Sequence, residues 1–256
     1  MKRYRATNFF IDCIRNIPVQ EEIKPHVASR YGDLNLKEKF ERYMSFKPPP
    51  LRVITEYHDL LQEIEDSFIY GLYYPALTSS CCLGERIFNI LILRLRDYYK
   101  TSEHYKRIYR KESFDDWSKS VGILWDWRVI ASDDIKIKYE ELKSIRHEVI
   151  HFNKLEDIEA KALNALRIIY DITTYFFAVG HRDDIYFWTP GEIYIKKIAE
   201  QNPFVREMII PHCILTGYGH IIETVNGQHV LRDEVAYACK EISDEEFIEL
   251  RKPVRN

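Results

Sequence analysis

The chain has 256 residues, with 37 Lys+Arg against 40 Asp+Glu, a net charge of -3 and a hydrophobic fraction of 46%. That length suffices for one large domain, or a domain with an appendage, whose core needs no covalent staples. The balanced charge excludes a broadly basic nucleic-acid binder, and 14% aromatic residues with only 9 Gly exclude low-complexity sequence.

Taken in chain order, residues 1–50 read as a helical and loop segment, in which Pro18 and Pro25 limit any helix and a periodic piece runs from Leu36 to Phe46. Basic Met1–Arg5 precedes Phe9–Ile11, which Asp12 and Arg15 cut too short for a signal peptide. Pro48-Pro49-Pro50 marks a stiff boundary. Leu51, Ile54, Tyr57 or His58, Leu61, Ile64 and Phe68 then follow helical spacing and predict a first long helix over 51–73.

Pro75 suits a first helical turn, and a second helix is expected over 75–99, with Leu77, Cys81, Ile87, Leu91 and Leu95 buried. Cys81 and Cys82 are expected to pack inside this helix, and Gly84 weakens it by about 1 kcal/mol. Residues 101–134 read as an insertion without clean period, its Trp117, Trp125 and Trp127 expected to anchor a core or an interface. Asp133-Asp134 offers a helix start for a third helix, Ile135 to Phe152, and Asn153-Lys154 breaks it. A fourth helix follows from Leu155 to Ala178, closed by Gly180. The expected class is mainly α, a four-helix up-down bundle over 51–180 with an insertion between the second and third helices.

Beyond Gly180 the pattern changes. Asp184–Trp188, Glu192–Ile198, Met208–Leu215 and His220–Val225 predict strands, and Asn226-Gly227 before Gln228–Leu231 predicts a hairpin. Residues 181–256 are therefore expected to form a small β-rich C-terminal appendage, α+β overall, with a last short helix from Ser243-Asp244-Glu245-Glu246. His212, Cys213, His220 and His229 read as ordinary strand residues. The five cysteines, Cys13, Cys81, Cys82, Cys213 and Cys239, contain no C-x-x-C pair and fit neither a disulfide framework nor a cysteine zinc site. No run approaches the roughly 18 apolar residues of a membrane span, so a reducing cytoplasm without membrane partners is the expected setting.

The chemistry concentrates in Leu142-Lys143-Ser144-Ile145-Arg146-His147-Glu148-Val149-Ile150-His151-Phe152-Asn153. Leu142, Ile145, Val149 and Phe152 form one helical stripe that should face the core. With Arg146 as origin, His147 falls near 100° and His151 near 140°, so an arginine and two histidines share a ridge away from that core. A ridge of such groups with Ile150 in its midst suits a surface covered by a second subunit.

Arg146-x4-His151, with His147 after the arginine, near the end of the third helix of a predicted bundle, resembles the HEPN superfamily over roughly 51–180. The resemblance implies a metal-independent endoribonuclease without cofactor, active as a homodimer whose two motifs build one composite site. Arg146 would hold the scissile phosphate, since its planar fork donates to two oxygens and keeps its charge. His151 would transfer protons as the RNA 2′-hydroxyl attacks, giving 2′,3′-cyclic phosphate and 5′-hydroxyl ends. His147 would orient the phosphate or His151. Such proteins resemble toxins or effectors of defence systems, some with an antitoxin partner. A tyrosine that one branch of the family carries two residues after the histidine is here Asn153, which weakens any inference of silencing by adenylylation.

Two other readings share these residues. A non-catalytic RNA- or partner-binding bundle would use Arg146 and the histidines only to stabilise an interface. His147-Glu148-Val149-Ile150-His151 also spells H-E-x-x-H, a zinc-protease signature that needs a third ligand, and none of Glu156, Glu159 and Asp171 stands in a diagnostic context. Elsewhere, Arg94, Arg96, Lys100, Lys106, Arg107, Arg110 and Lys111 against Asp97 and Glu103 give a local net of +5, interleaved with Tyr98, Tyr99, Tyr105 and Tyr109. That segment reads either as an RNA-tracking patch beside the cleft or as a solvated helix end. Glu85 is a candidate partner for Arg146 or a histidine.

Overall fold

The computed structural model describes residues 23–46, 57–150, 156–178, 181–189, 192–196, 198–210, 220–225, 228–233 and 245. These are mainly helical. Described residues 23–178 belong to one compact unit and those from 181 onward to another.

In the first unit, α1 (Ile23–Tyr31) and α2 (Leu36–Ser45) are joined through Gly32 at φ 77° and Asn35 at φ 54°. Pro25 sits in the first turn of α1, where its missing N–H is not needed. Lys39, 8% exposed, donates to the carbonyls of Tyr31 (2.6 Å) and Gly32 (3.4 Å), satisfying acceptors at the end of α1. Arg42 donates to the Ile69 carbonyl at 3.0 Å and to the Tyr73 hydroxyl at 2.9 Å, while Phe46 packs edge-on against Phe68 and Tyr170. Residues 23–46 are thus anchored on the helices that follow the triple proline in the chain.

The first predicted long helix is shorter among the described residues: α3 is His58–Ile69, and 51–56 lie outside them. Its end is set by Gly71 at φ 79°, where Gly71 N–H donates to the Phe68 carbonyl and Leu72 N–H to that of Ser67. This is a Schellman stop, open to glycine because it lacks the Cβ that a left-handed backbone crowds. The same turn starts α4 (Tyr73–Leu95), which continues as a 3-10 turn, Arg96–Tyr99.

Helix α4 is central and packs against α3 and three later helices, α6, α7 and α8. Its Leu77, Cys81, Ile87, Leu91 and Leu95 are buried as expected, whereas Cys82 is exposed, since consecutive helical side chains diverge by about 100°. Contrary to expectation, Tyr73–Tyr99 is by length and composition long and apolar enough to cross a membrane: an 18-residue window within it has mean hydropathy 1.3, and 56% of that window is buried within the protein. Its apolarity suits a helix surrounded by partners.

The insertion contributes to the core. It carries α5 (Tyr105–Ile108) and α6 (Trp117–Asp126), the latter capped by Asp116, whose side chain accepts from Lys119 N–H at 3.0 Å. Trp117, Val121 and Leu124 are buried, and Trp117 meets Phe88 edge-on at 5.2 Å. Asn89 on α4 binds Phe114 like a neighbouring strand: its Nδ2 donates to the Phe114 carbonyl (2.8 Å) and its Oδ1 accepts from the Phe114 N–H (2.6 Å).

Helix α7 (Asp133–Ile150) buries Leu142, Ile145 and Val149, the predicted stripe. Helix α8 (Ile158–Phe177) packs along it, tied by Lys138–Asp171 (2.8 Å), Asn164 to Glu141 (2.8 Å) and Lys161–Glu148 (2.6 Å). Asp171 raises the pKa of Lys138 through their hydrogen bond. Gly84 permits close approach of α4 and α7, since a Cβ there would stand 2.6 Å from Leu142 Cδ2.

In the second unit, β1 (Tyr186–Thr189) pairs antiparallel with β2 (Glu192–Ile195), and β3 (His220–Val225) with β4 (Gln228–Asp233), Val225 facing Gln228. The Asn226-Gly227 connection, His212, Cys213, Gly180 and most of the last predicted helix lie outside the described residues. The strand expected at Met208–Leu215 is corrected where it is described: Met208 and Ile209 belong to a π-helical turn, Val205–Ile209. Phe204, Val205, Met208 and Ile209 are buried there, and this three-and-four spacing turns one face of a helix inward.

Candidate functional site

Arg146 lies one turn before the described end of α7, between the buried stripe and the exposed ridge. Its Nη2 is 3.4 Å from Glu85 Oε2 on α4, with the two side chains 37% and 27% exposed. Its Cζ lies 5.8 Å from the ring centre of Trp117 on α6. Three helices therefore hold one guanidinium: α7 supplies it, α4 its counter-ion and α6 an indole face. Such a cation gains from both the carboxylate and the ring quadrupole, while water still reaches it.

Beneath lies an aromatic cluster in which Trp117, Phe88 and Tyr139 meet at 5.2 to 6.4 Å. Complete burial raises the pKa of the Tyr139 hydroxyl far above its ordinary value. Cys81, also buried, has its thiol pKa pushed up to about 12, chiefly by desolvation, with Arg146 pulling the other way. A thiol held neutral in this way makes a poor nucleophile.

His147 and Glu148 are exposed on the ridge, and Lys143 is tied to α6 through Ser118 Oγ at 2.6 Å. Phe152, Asn153 and His151, the histidine of the sequence motif, lie outside the described residues. Glu148, the water-activating carboxylate of the zinc-protease pattern, is ion-paired with Lys161 at 2.6 Å.

The basic segment divides. Arg96 is structural, its Nη1 donating to the carbonyls of Ile108 (3.0 Å) and Lys111, which closes the loop around α5. Arg94 is half-buried, while Lys100, Lys106, Arg107, Arg110 and Lys111 are exposed. Tyr105 stacks on Tyr109 at 5.8 Å and Arg110 lies 5.0 Å from the Tyr109 ring centre, forming a small cation and aromatic stack. A groove of about 640 Å³ runs between this loop and α6, where Arg107, Lys111 and Lys119 face Asp115 and Asp116. Its mixed charge differs from an all-cationic phosphate cradle.

Helix α6 stands between this groove and Arg146. Lys119, Ser120 and Ile123 line the groove, whereas Trp117 and Ser118 meet α7, two flanks separated by the helical rotation of about 100° per residue. Trp117 as the floor under Arg146 escaped the sequence reading. The signal was there in Asp116, a capping residue, followed by the spacing Trp117, Val121, Leu124. No protein-family model, curated protein or solved structure matches this chain.

Proposed function

We propose that residues 51–180 form a HEPN-like four-helix up-down bundle acting as a metal-independent, cofactor-free endoribonuclease, with a β-rich C-terminal appendage of separate role. The observation that carries this reading is Arg146 itself: a guanidinium fixed by Glu85 and Trp117 at the edge of the core, yet more than a third exposed. Phosphate competes for such a group, because a bidentate arginine contact to a dianionic or transition-state phosphate exceeds a single loose carboxylate contact at 3.4 Å.

In the proposed reaction, His151 takes the proton of the RNA 2′-hydroxyl or gives one to the leaving oxygen, and His147 orients the phosphate or His151. The 2′-oxygen attacks the adjacent phosphorus, Arg146 stabilises the added charge, and the bond to the 5′-oxygen breaks as that oxygen takes a proton from the imidazolium of His151, of its own motif or of the second one, so that the proton removed from the 2′-hydroxyl is returned overall. The products are a 2′,3′-cyclic phosphate and a 5′-hydroxyl, and DNA is inert because it lacks the nucleophile. A homodimer would bring two such motifs together, and Lys100, Lys106, Arg107, Arg110 and Lys111 would track the strand. A toxin or defence role, an antitoxin partner and a cytoplasmic setting belong to the same proposal.

A non-catalytic RNA- or partner-binding bundle is the second reading, favoured by the existing Arg146–Glu85 pair, which already gives the arginine a structural use. Zinc proteolysis ranks below both, since the ion pair from Lys161 occupies Glu148. RNA cleavage assayed in EDTA separates the readings. Cleavage by the wild type that disappears in Arg146→Ala and His151→Ala, with both variants folded, supports the nuclease. Cleavage persisting in both overturns the site, and no wild-type cleavage with RNA binding retained supports the second reading.

A further inference from the structure

We infer that Glu103, His104 and Asp126 form a zinc site that clamps the start of the insertion, just before α5, to the end of α6. Their ligand atoms all lie within 4.8 Å of one another. His104 Nε2 is 2.7 Å from Asp126 Oδ2 and 3.8 Å from Glu103 Oε1. Zinc bound at roughly 2.0–2.2 Å by tetrahedral nitrogen and oxygen ligands sets them about 3.4 Å apart. The histidine–aspartate contact must open by about 0.7 Å and the histidine–glutamate contact close by about 0.4 Å, and the exposed carboxylates of Asp126 and Glu103 have the solvent-side room to do so.

The donor set is selective in kind. One imidazole nitrogen with two carboxylates suits a borderline cation such as Zn²⁺ better than Mg²⁺ or Ca²⁺, which favour oxygen alone. Two carboxylates also neutralise the ion, and three protein ligands leave a fourth position for water. The histidine is largely buried and its main chain is held: the side chain of His104 is 19% exposed and the backbone N–H donates to Ser102 Oγ at 3.3 Å. The same Ser102 Oγ accepts from Trp127 Nε1 at 3.2 Å, and Trp127 stacks on Tyr99 at 4.5 Å. Residues on both sides of the site, Ser102 before Glu103 and Trp127 after Asp126, are thus already joined, so little backbone must be ordered when the ion arrives.

The site is independent of the nuclease reading, since it lies wholly within the insertion and excludes Arg146. It also differs from the H-E-x-x-H pattern, which would place zinc on His147 and His151. The test is calorimetric titration of chelator-treated, full-length protein with zinc chloride, beside Glu103→Gln, His104→Gln, Asp126→Asn and His147→Gln. The expected result is one zinc per chain, weakened by roughly tenfold or more in each of the first three variants and unchanged in His147→Gln. Glu103 is exposed enough that its variant keeps the fold, which far-UV circular dichroism verifies. Absence of zinc binding, affinity unchanged in Glu103→Gln and His104→Gln, or loss confined to His147→Gln overturns the site. EDTA-resistant RNA cleavage leaves it standing, and loss of zinc binding leaves the cleavage assay unaffected.

Discussion

Replacing Gly84 by alanine tests whether close approach of α4 and α7 organises the site. The added Cβ would lie 2.6 Å from Leu142 Cδ2, 3.5 Å from Trp117 Cη2 and 3.7 Å from Ile169 Cδ1. Ordinary carbon contacts are about 3.5–4.0 Å, so Leu142 or the helix must yield by about 1 Å. Leu142 is 0% exposed and has no solvent-side space to enter. Overpacking of this kind costs about 1–3 kcal/mol, whereas alanine returns about 1 kcal/mol of helix propensity over glycine. A net loss of up to about 2 kcal/mol is expected, larger for Gly84→Val. Urea titration followed by tryptophan fluorescence measures it, since Trp117 lies at the contact. Leu142→Ala in the Gly84→Ala background should relieve the clash, so the double variant is less destabilised than the sum of the singles. If Gly84→Ala raises the urea midpoint, Leu142 yields freely and the helices are not held at this distance by the missing side chain.

Asn89→Ala should release the insertion: it removes both hydrogen bonds to Phe114 and leaves a half-buried amide and carbonyl unpaired, for about 1–3 kcal/mol. A fall in the thermal midpoint with faster proteolysis within 100–116 is expected, and no change in either would refute the clamp. At neutral pH under native conditions, alkylation with peptide mapping should label Cys82 and spare Cys81 until the protein unfolds. The Cys81 thiol pKa rises in the fold to about 12 from an ordinary 9.0. The unfolded chain therefore loses this proton first, and stability should decline as pH rises from about 9 towards 12, less so in Cys81→Ala. An identical alkaline decline in that variant would remove Cys81 as the cause.

Periodicity was informative wherever a helix has one wet face. The positions Leu77, Cys81, Ile87, Leu91 and Leu95 on α4, and Leu142, Ile145 and Val149 on α7, are buried as their spacing implies. Cys82 shows the limit of reading residues as pairs, because neighbours on a helix face different ways. Glycine was underread at Gly71, where the left-handed turn ends α3 before Tyr73. The insertion was opaque because its short elements draw their stability from Phe88, Asn89 and Tyr139, which lie elsewhere in the chain. At Met208 and Ile209, residues rich in strand propensity fold as a helical turn because burial outweighs that weak preference.

The sequence by itself determined the mainly helical class, the buried stripe of α7 and the placing of His147 on the exposed ridge, since these depend only on composition and a 3.6-residue period, whereas Arg146, expected on that ridge, stands at the border of the stripe because α4 and α6 reach it. Tertiary structure alone decided that Glu85 and Trp117 hold Arg146, that α6 separates it from the basic loop, and that Glu103, His104 and Asp126 meet. Those contacts join residues distant in the chain, and their distances follow from how closely helices pack, which here turns on one glycine and the aromatic side chains around it.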